Sequence, residues 1–185
     1  MLTFLAAGGW AWMAGLELRR AWATGSLLTA LLALQSGFVG LRLIFRQQET
    51  QTAPLFQRLI AWGSVFLLLG MRVEHTTWFT EGLGLLGVWL ALWGLHTLGA
   101  AFGIAPADRG VKRRGPYEYL RHPMYAGALL SGLGVLATNP SLWNSGIYGL
   151  LLVAVLRRIH WEETLLTGYT PYARAVRWRL LPGVW

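Results

Sequence analysis

The chain has 185 residues, of which 55% are hydrophobic and 13% charged. Soluble domains carry about 25% charged residues, so this composition excludes an ordinary soluble domain. The net charge is +8, with 15 Arg among the 16 basic residues, as in nucleic-acid-binding proteins and in membrane proteins with basic loops. No cysteine is present, which excludes disulfides, thiolate metal ligands and a cysteine nucleophile.

Six apolar segments follow one another along the chain, and basic residues stand at their ends. This arrangement is typical of an integral membrane protein and not of a nucleic-acid-binding one. The sequence predicts an all-α, polytopic membrane helical bundle with five or six transmembrane helices. The first segment is short for a span, which leaves open whether it crosses the membrane. We expect a single integral membrane domain over residues 1–185, with N-terminal membrane helices in 1–104. The segments cover residues 2–18, 23–41, 59–73, 82–104, 124–137 and 142–156.

The last two segments are separated by Thr138-Asn139-Pro140-Ser141. Asn-Pro is a turn signal, so residues 105–185 are predicted to contain a basic loop, a C-terminal helical hairpin and a basic tail. Loops rich in Arg and Lys stay in the cytosol, which places the 109–121 loop, the tail after residue 157 and the 42–58 loop on that side. Arg19 and Arg20 then fall on the opposite side, against the rule.

Polar clusters flank the predicted hairpin at its cytosolic end. The first covers residues 115–127, where Pro123 is suited to begin a helix and His122 would stand beside free backbone N–H groups that bind anions. Three Tyr side chains in it are equally typical of an interfacial aromatic belt. Small residues at helical spacing in the fifth segment, Gly127, Ser131 and Gly134, predict close helix packing.

The second cluster covers residues 160–176 and begins with adjacent acids, Glu162 and Glu163. Acids are mildly unfavourable at a helix C-terminus, so a compensating group is expected. Arg158 stands four residues before Glu162 and allows one ion pair. Alternatively, a carboxylate faces a cavity and binds a cation. Since the clusters lie at the same end of one hairpin, they are expected to be spatial neighbours.

These residues resemble the two signatures of the isoprenylcysteine carboxyl methyltransferase and phospholipid N-methyltransferase superfamily over about the last 85 residues. The first signature matches Gly115, Pro116, Tyr117, Arg121, His122, Pro123, Tyr125 and Gly127, and the second matches Glu162, Glu163, Gly168, Tyr169, Tyr172, Val176, Arg179 and Pro182. The spacing after Val176 is one residue longer than the usual pattern, which leaves open whether Arg177 or Arg179 takes the family role.

The resemblance implies a methyltransferase that uses S-adenosylmethionine and needs no metal. It assigns cofactor binding to Tyr117, His122, Pro123, Tyr125, Gly127, Glu162 and Glu163. Both acids, with Arg121 and Arg179, are candidate catalytic residues, because Arg pairs well with an anionic acceptor and Glu can take a proton from an amine. Tyr169 and Tyr172 are candidate substrate contacts.

The expected acceptor is a lipid or lipophilic molecule that arrives from the bilayer: an isoprenylcysteine-like carboxylate, a phospholipid amine or a thiol. No nucleic-acid partner is expected, and the oligomeric state stays open. The predicted location is a bacterial-type inner membrane with the active site facing the cytosol. Two other interpretations are an NADPH-dependent enzyme related to sterol reductases, with the 109–114 run meeting a phosphate, and a non-catalytic scaffold or transporter.

Overall fold

The computed structural model describes residues 2–45 and 47–185, with side chains from residue 6 onward. Within this part the protein is mostly helical, in agreement with the predicted all-α membrane fold. The helices are α1 (Leu2–Thr24), α2 (Leu27–Ile44), α3 (Leu55–Val65), α4 (Leu67–Gly70), α5 (Trp78–Leu98), α6 (Pro123–Thr138), α7 (Leu142–Leu165) and α8 (Tyr169–Ala175). Two 3₁₀ turns, Gly99–Ala101 and Gly115–Glu118, and two short strands, β1 (Gln51–Thr52) and β2 (Ala107–Asp108), complete the described elements.

Three stretches in the described part are long and apolar enough to cross a membrane: Leu27–Ile44, Trp78–Ala101 and Leu142–Leu165. The apolar stretches Leu55–Gly70 and Pro123–Thr138 are shorter. A 16-residue helix measures about 24 Å, less than the roughly 30 Å of a hydrocarbon core. The predicted membrane character is thus supported, whereas the count of five or six spans stays a prediction.

The closest packing in the bundle is between α5 and α6. A Cβ added to Gly87 would lie 2.2 Å from the backbone nitrogen of Ser131, and one added to Gly134 would lie 2.6 Å from Gly84. Only glycine permits such an approach, because any side chain would meet backbone. The packing role predicted for the small residues of the fifth segment is therefore confirmed.

The predicted turn between the last two long helices is also present, since α6 ends at Thr138 and α7 begins at Leu142. Asn144 lies in the first turn of α7 and is fully buried. Its side chain accepts a hydrogen bond from the backbone N–H of Arg72 at 2.9 Å and donates to the Arg72 carbonyl at 2.8 Å. This amide fixes the segment before α5 against the hairpin.

The opposite end of the bundle gathers the basic loops. β1 pairs antiparallel with β2, with Gln51 opposite Asp108, so the loop before α3 lies beside the loop after α5. The tail joins the same end, because Leu120 and Trp178 form a parallel bridge. The three basic segments predicted to share one side therefore lie together.

Candidate active site

The two polar clusters meet at this end of the bundle. Pro123 begins α6, where its fixed φ suits the first helical position, and His122 precedes it without capping the helix through its side chain. The imidazole is therefore available to other elements. Its Nε2 lies 3.2 Å from Glu163 Oε1, and its Nδ1 lies 3.9 Å from Glu162 Oε2. One side chain from the start of α6 thus approaches both acids at the end of α7.

The C-terminal tail is fastened to the same loop. The backbone N–H of Arg121 donates to the Trp178 carbonyl at 2.8 Å, and that of His122 donates to the Arg179 carbonyl at 3.0 Å. The Arg121 guanidinium donates to three more tail carbonyls, those of Ala173 (3.1 Å), Val176 (2.7 Å) and Arg177 (3.0 Å). Arg121 therefore holds the tail in place, and most of its donors are occupied within the protein.

Glu163 lies at the centre of a charged network. Arg179 donates to it from Nε and Nη2, each at 2.9 Å, and the Tyr169 hydroxyl donates at 2.5 Å. Arg121 Nη1 lies 3.7 Å away, and the Glu163 side chain is 13% exposed. Since its oxygens already accept these bonds, a cofactor contact at Glu163 would have to displace one of the donors.

The tail residue that reaches this network is Arg179 and not Arg177. The Arg177 guanidinium lies instead over the ring of Trp178, 5.0 Å from its centroid. Of the two candidates that the spacing leaves open, Arg179 is the one paired with a signature glutamate. The acceptor contacts predicted for Arg121 and Arg179 stay predictions.

Glu162 has a different environment from its neighbour. Successive helical residues point about 100° apart, and Glu162 accepts a hydrogen bond from the Tyr125 hydroxyl while its side chain is 22% exposed. The ion pair with Arg158 that the spacing allows is not formed. Arg158 donates to the Ile104 carbonyl at 2.7 Å and to Ser64 Oγ at 3.2 Å, because these partners from other elements compete with Glu162.

Between these elements lies a cleft with a volume of about 90 Å³. Among the residues that the structure describes, Glu162 is the one acidic side chain that lines it, and Arg109 and Lys112 are basic groups on its wall. Leu98, Met124 and Leu166 give it an apolar side. Of the residues predicted for the site, the cleft is lined by Tyr117, Arg121, His122, Tyr125, Glu162, Tyr169 and Tyr172.

The other predicted residues lie behind this surface. Pro123 is buried in the first turn of α6, and Glu163 and Arg179 form the ion pair described above. Gly127 faces α5, where an added Cβ would lie 2.4 Å from the Ala91 nitrogen. The structure therefore gives Gly127 a packing position and not a place on the cleft wall.

The phenols at the cleft remain protonated donors at neutral pH. Burial, with the nearby Glu162 charge, raises the pKa of Tyr117 well above its usual value. Burial also raises the pKa of Tyr172 to about 12, and burial with the Glu163 hydrogen bond raises the pKa of Tyr169. The Tyr172 hydroxyl donates to the Tyr117 carbonyl at 2.8 Å, so it joins α8 to the loop.

The sequence drew attention to the 109–114 run only as a possible phosphate contact, and it did not predict the partners of Arg109 and Asp108. Arg109 pairs with Glu49 at 2.5 Å, and Asp108 accepts from the backbone N–H groups of Thr167 and Gly110, each at 3.0 Å. Hydrogen bonds from Thr167, with a further one from Gly110, lower the pKa of Asp108. An acid at the start of a basic loop was the signal that the sequence offered, because an acid that becomes buried requires donors nearby.

A family model described as phospholipid methyltransferase matches residues 75–169. The match covers 95 of the 185 residues and contains α5, α6, α7 and the cleft loop between them. No curated protein matches the chain at a significant level.

Proposed function

The chain belongs to the phospholipid methyltransferase family, and on that premise we propose that it transfers a methyl group from S-adenosylmethionine to a lipophilic acceptor. A methyltransferase embedded in a membrane follows from the family and the apolar helices. The donor and the acceptor class are our proposal. One observation supports S-adenosylmethionine as the methyl donor: the carboxylate of Glu162 lies on a cleft wall that also holds basic groups.

The residues of the cleft fit S-adenosylmethionine chemically. Since the cleft encloses about 90 Å³ and pockets for such ligands measure roughly 300–1,000 Å³, the proposal requires part of the molecule to extend through the open side of the cleft. The methionine part of this molecule is a zwitterion, so its binding requires an acceptor for an ammonium and a donor for a carboxylate. Glu162 supplies the first, and Lys112 with the N-terminal end of α6 supplies the second. The apolar side formed by Leu98, Met124 and Leu166 suits the adenine ring.

When bound, S-adenosylmethionine supplies an electrophilic methyl group on a positively charged sulfur. The protein's own task is then positioning and exclusion of water. The Tyr125 hydroxyl and His122 orient the Glu162 carboxylate, while Glu163 fixes the tail that covers the loop. For an amine acceptor, Glu162 or His122 would also take the proton that the ammonium must lose.

We also propose that the cleft faces the cytosol of a bacterial-type inner membrane. The basic 42–58 loop, the 109–121 loop and the tail lie at the cleft end of the bundle, and Arg-rich loops are retained in the cytosol. The acceptor would then reach the cleft laterally from the bilayer.

Ligand binding to the purified protein tests whether S-adenosylmethionine is the methyl donor. S-Adenosylhomocysteine should raise the melting temperature by mass action, whereas NADPH should not. Glu162→Gln preserves the acceptor for Tyr125 but removes the charge. Because a hydrogen bond to a charged group contributes about 1.5–3 kcal/mol, the substitution should weaken binding about 10- to 100-fold.

The matched control is Glu118→Gln, since Glu118 is exposed on the loop that carries the cleft. It should leave binding unchanged. Stabilisation by NADPH alone would favour the reductase interpretation, and stabilisation by neither ligand would favour a protein without this chemistry. Equal affinity in wild type and Glu162→Gln would remove Glu162 from the cofactor site.

A further inference from the structure

A second cavity lies among the helices of the bundle, next to the cleft. Its volume is about 100 Å³, and each of the helices α1 to α7 contributes to its wall. Met124 and Tyr125 line both the cavity and the cleft, so these two side chains form the partition between them. A molecule in the cavity is therefore separated from the proposed cofactor site by one layer of side chains.

The cavity is mostly apolar, but three of the residues that line it each carry a buried polar atom without a hydrogen-bond partner within the described part of the protein. The three atoms are Trp10 Nε1, Gln35 Oε1 and Arg158 Nε. Trp10 is 8% exposed and Arg158 is 5% exposed, so bulk water does not satisfy them. A buried polar group without a partner costs about 1–3 kcal/mol, and three such groups around one space indicate a polar ligand.

The charge of Arg158 specifies that ligand further. Arg109, Arg121 and Arg179 each have a glutamate within 4 Å, whereas no carboxylate of the described residues pairs with Arg158. Its neighbours are the Ser64 hydroxyl, the Ile104 carbonyl and the face of the Tyr125 ring, 4.9 Å from the guanidinium carbon. A buried guanidinium in a membrane helix without a counter-charge is unfavourable.

We infer that this cavity binds the head group of the methyl acceptor, and that the head group carries a carboxylate or phosphate that pairs with Arg158. This inference rests on the proposed function and narrows its acceptor to lipophilic anions. Trp10 Nε1 donates a second hydrogen bond to the same anion, and Gln35 Oε1 accepts from an adjacent N–H or O–H. The apolar remainder of the wall contacts the first carbons of the chain.

This assignment also gives the partition formed by Met124 and Tyr125 a role. Met124 has an unbranched side chain with several rotatable bonds, and such side chains adapt readily to neighbouring ligands. Movement of Met124 would join the cavity to the cleft while Tyr125 stays hydrogen-bonded to Glu162. The acceptor would then reach the cofactor without leaving the bundle.

Binding of charged and uncharged chains of equal length tests the inference. The purified protein, in a neutral detergent, is titrated with labelled dodecanoate, dodecyl phosphate, dodecanol and dodecyltrimethylammonium. Both anions should bind at least 10-fold more tightly than the alcohol, and the cation should be the weakest ligand. The stronger of the two anions identifies whether a carboxylate or a phosphate is the natural partner.

Variants locate the binding in the cavity. Arg158→Gln should weaken anion binding at least 10-fold, and Trp10→Phe, which removes only the N–H donor and some ring volume, should weaken it several-fold. Ala128→Leu fills the cavity and should abolish binding. Ala137→Leu adds the same volume to an exposed position of α6 and should have no effect. S-Adenosylhomocysteine binding, measured alongside, should persist in Trp10→Phe and Ala128→Leu.

The result that overturns the inference is equal binding of dodecanoate, dodecyl phosphate and dodecanol to the wild type. Arg158 would then confer no preference for an anionic head group. Anion binding that is unchanged in both Arg158→Gln and Ala128→Leu would also overturn it. If S-adenosylhomocysteine still binds in these cases, the proposed function is left intact. If the wild type does not bind S-adenosylhomocysteine, the proposed function itself is contradicted.

Discussion

Replacing Glu163 with Gln should loosen the C-terminal tail and leave the carboxylate of the cleft in place. Glu163 accepts two hydrogen bonds from Arg179, at 2.9 Å each, and one from Tyr169 at 2.5 Å. Gln has the same shape but only one acceptor oxygen, and its amide N–H groups would face the guanidinium. The variant should therefore lose the bidentate pair with Arg179.

The size of the effect follows from the exposure of the two partners. A hydrogen bond to a charged group contributes about 1.5–3 kcal/mol when it is protected from water. The Glu163 side chain is 13% exposed, but that of Arg179 is 33% exposed, so the released guanidinium can turn toward solvent. We expect the free energy of unfolding to fall by about 2 kcal/mol. For a chain of this size that corresponds to a melting temperature about 4–8 °C lower.

Thermal unfolding in one detergent, with and without S-adenosylhomocysteine, measures both consequences. Glu163→Gln should lower the melting temperature of the free protein and speed tryptic cleavage after Arg177 and Arg179, whereas Glu118→Gln should do neither. Arg179→Gln alone should resemble Glu163→Gln, and the double variant should add little further loss, because the two residues act as a pair. An unchanged melting temperature together with lost ligand affinity would refute this reasoning and make Glu163 a cofactor ligand.

Three further predictions concern packing, pH and topology. Gly87→Ala should destabilise the protein by about 1–3 kcal/mol in thermal unfolding, since its Cβ meets the backbone of α6, whereas Gly82→Ala on the same helix has open space and should not. The folded-state pKa of Asp108 is lowered, so its stabilising contribution is present at neutral pH and is lost as the pH falls through that pKa; melting curves of Asp108→Asn should accordingly show a smaller loss of stability on acidification than wild type. Reporter fusions in the 109–121 loop and at the C-terminus should report the same side of the membrane, and opposite sides would contradict the hairpin.

Much of the fold was predictable because a membrane helix appears in the sequence as a continuous apolar segment. The Asn139-Pro140 turn and the start of α6 at Pro123 were expected from local chemistry, and both occur. The neighbourhood of His122 and the two glutamates was expected for a topological reason, since both ends of a hairpin lie on the same side. The structure brings these side chains together.

The orientation of single side chains was not predictable in the same way. Nothing in the sequence distinguishes two adjacent acids on one helix. Which of Glu162 and Glu163 faces the cleft depends on how α7 is rotated about its own axis, and only the structure shows that. The ion pair that the spacing allows between Arg158 and Glu162 is absent for a related reason. Spacing indicates which residues of one helix are close, but the acceptors that compete for Arg158, Ser64 and the Ile104 carbonyl, come from distant parts of the chain.

The position of α7 explains how one helix serves two sites. Arg158 and Glu162 are separated by four residues and therefore lie on similar sides of the helix, yet they carry opposite charges toward different spaces. The Tyr125 side chain stands between them, with its hydroxyl donating to Glu162 and its ring face against Arg158. A change at Tyr125 would therefore act on the cleft and the second cavity together. Removing only the hydroxyl, as in Tyr125→Phe, would separate the two effects, because the ring that faces Arg158 is retained.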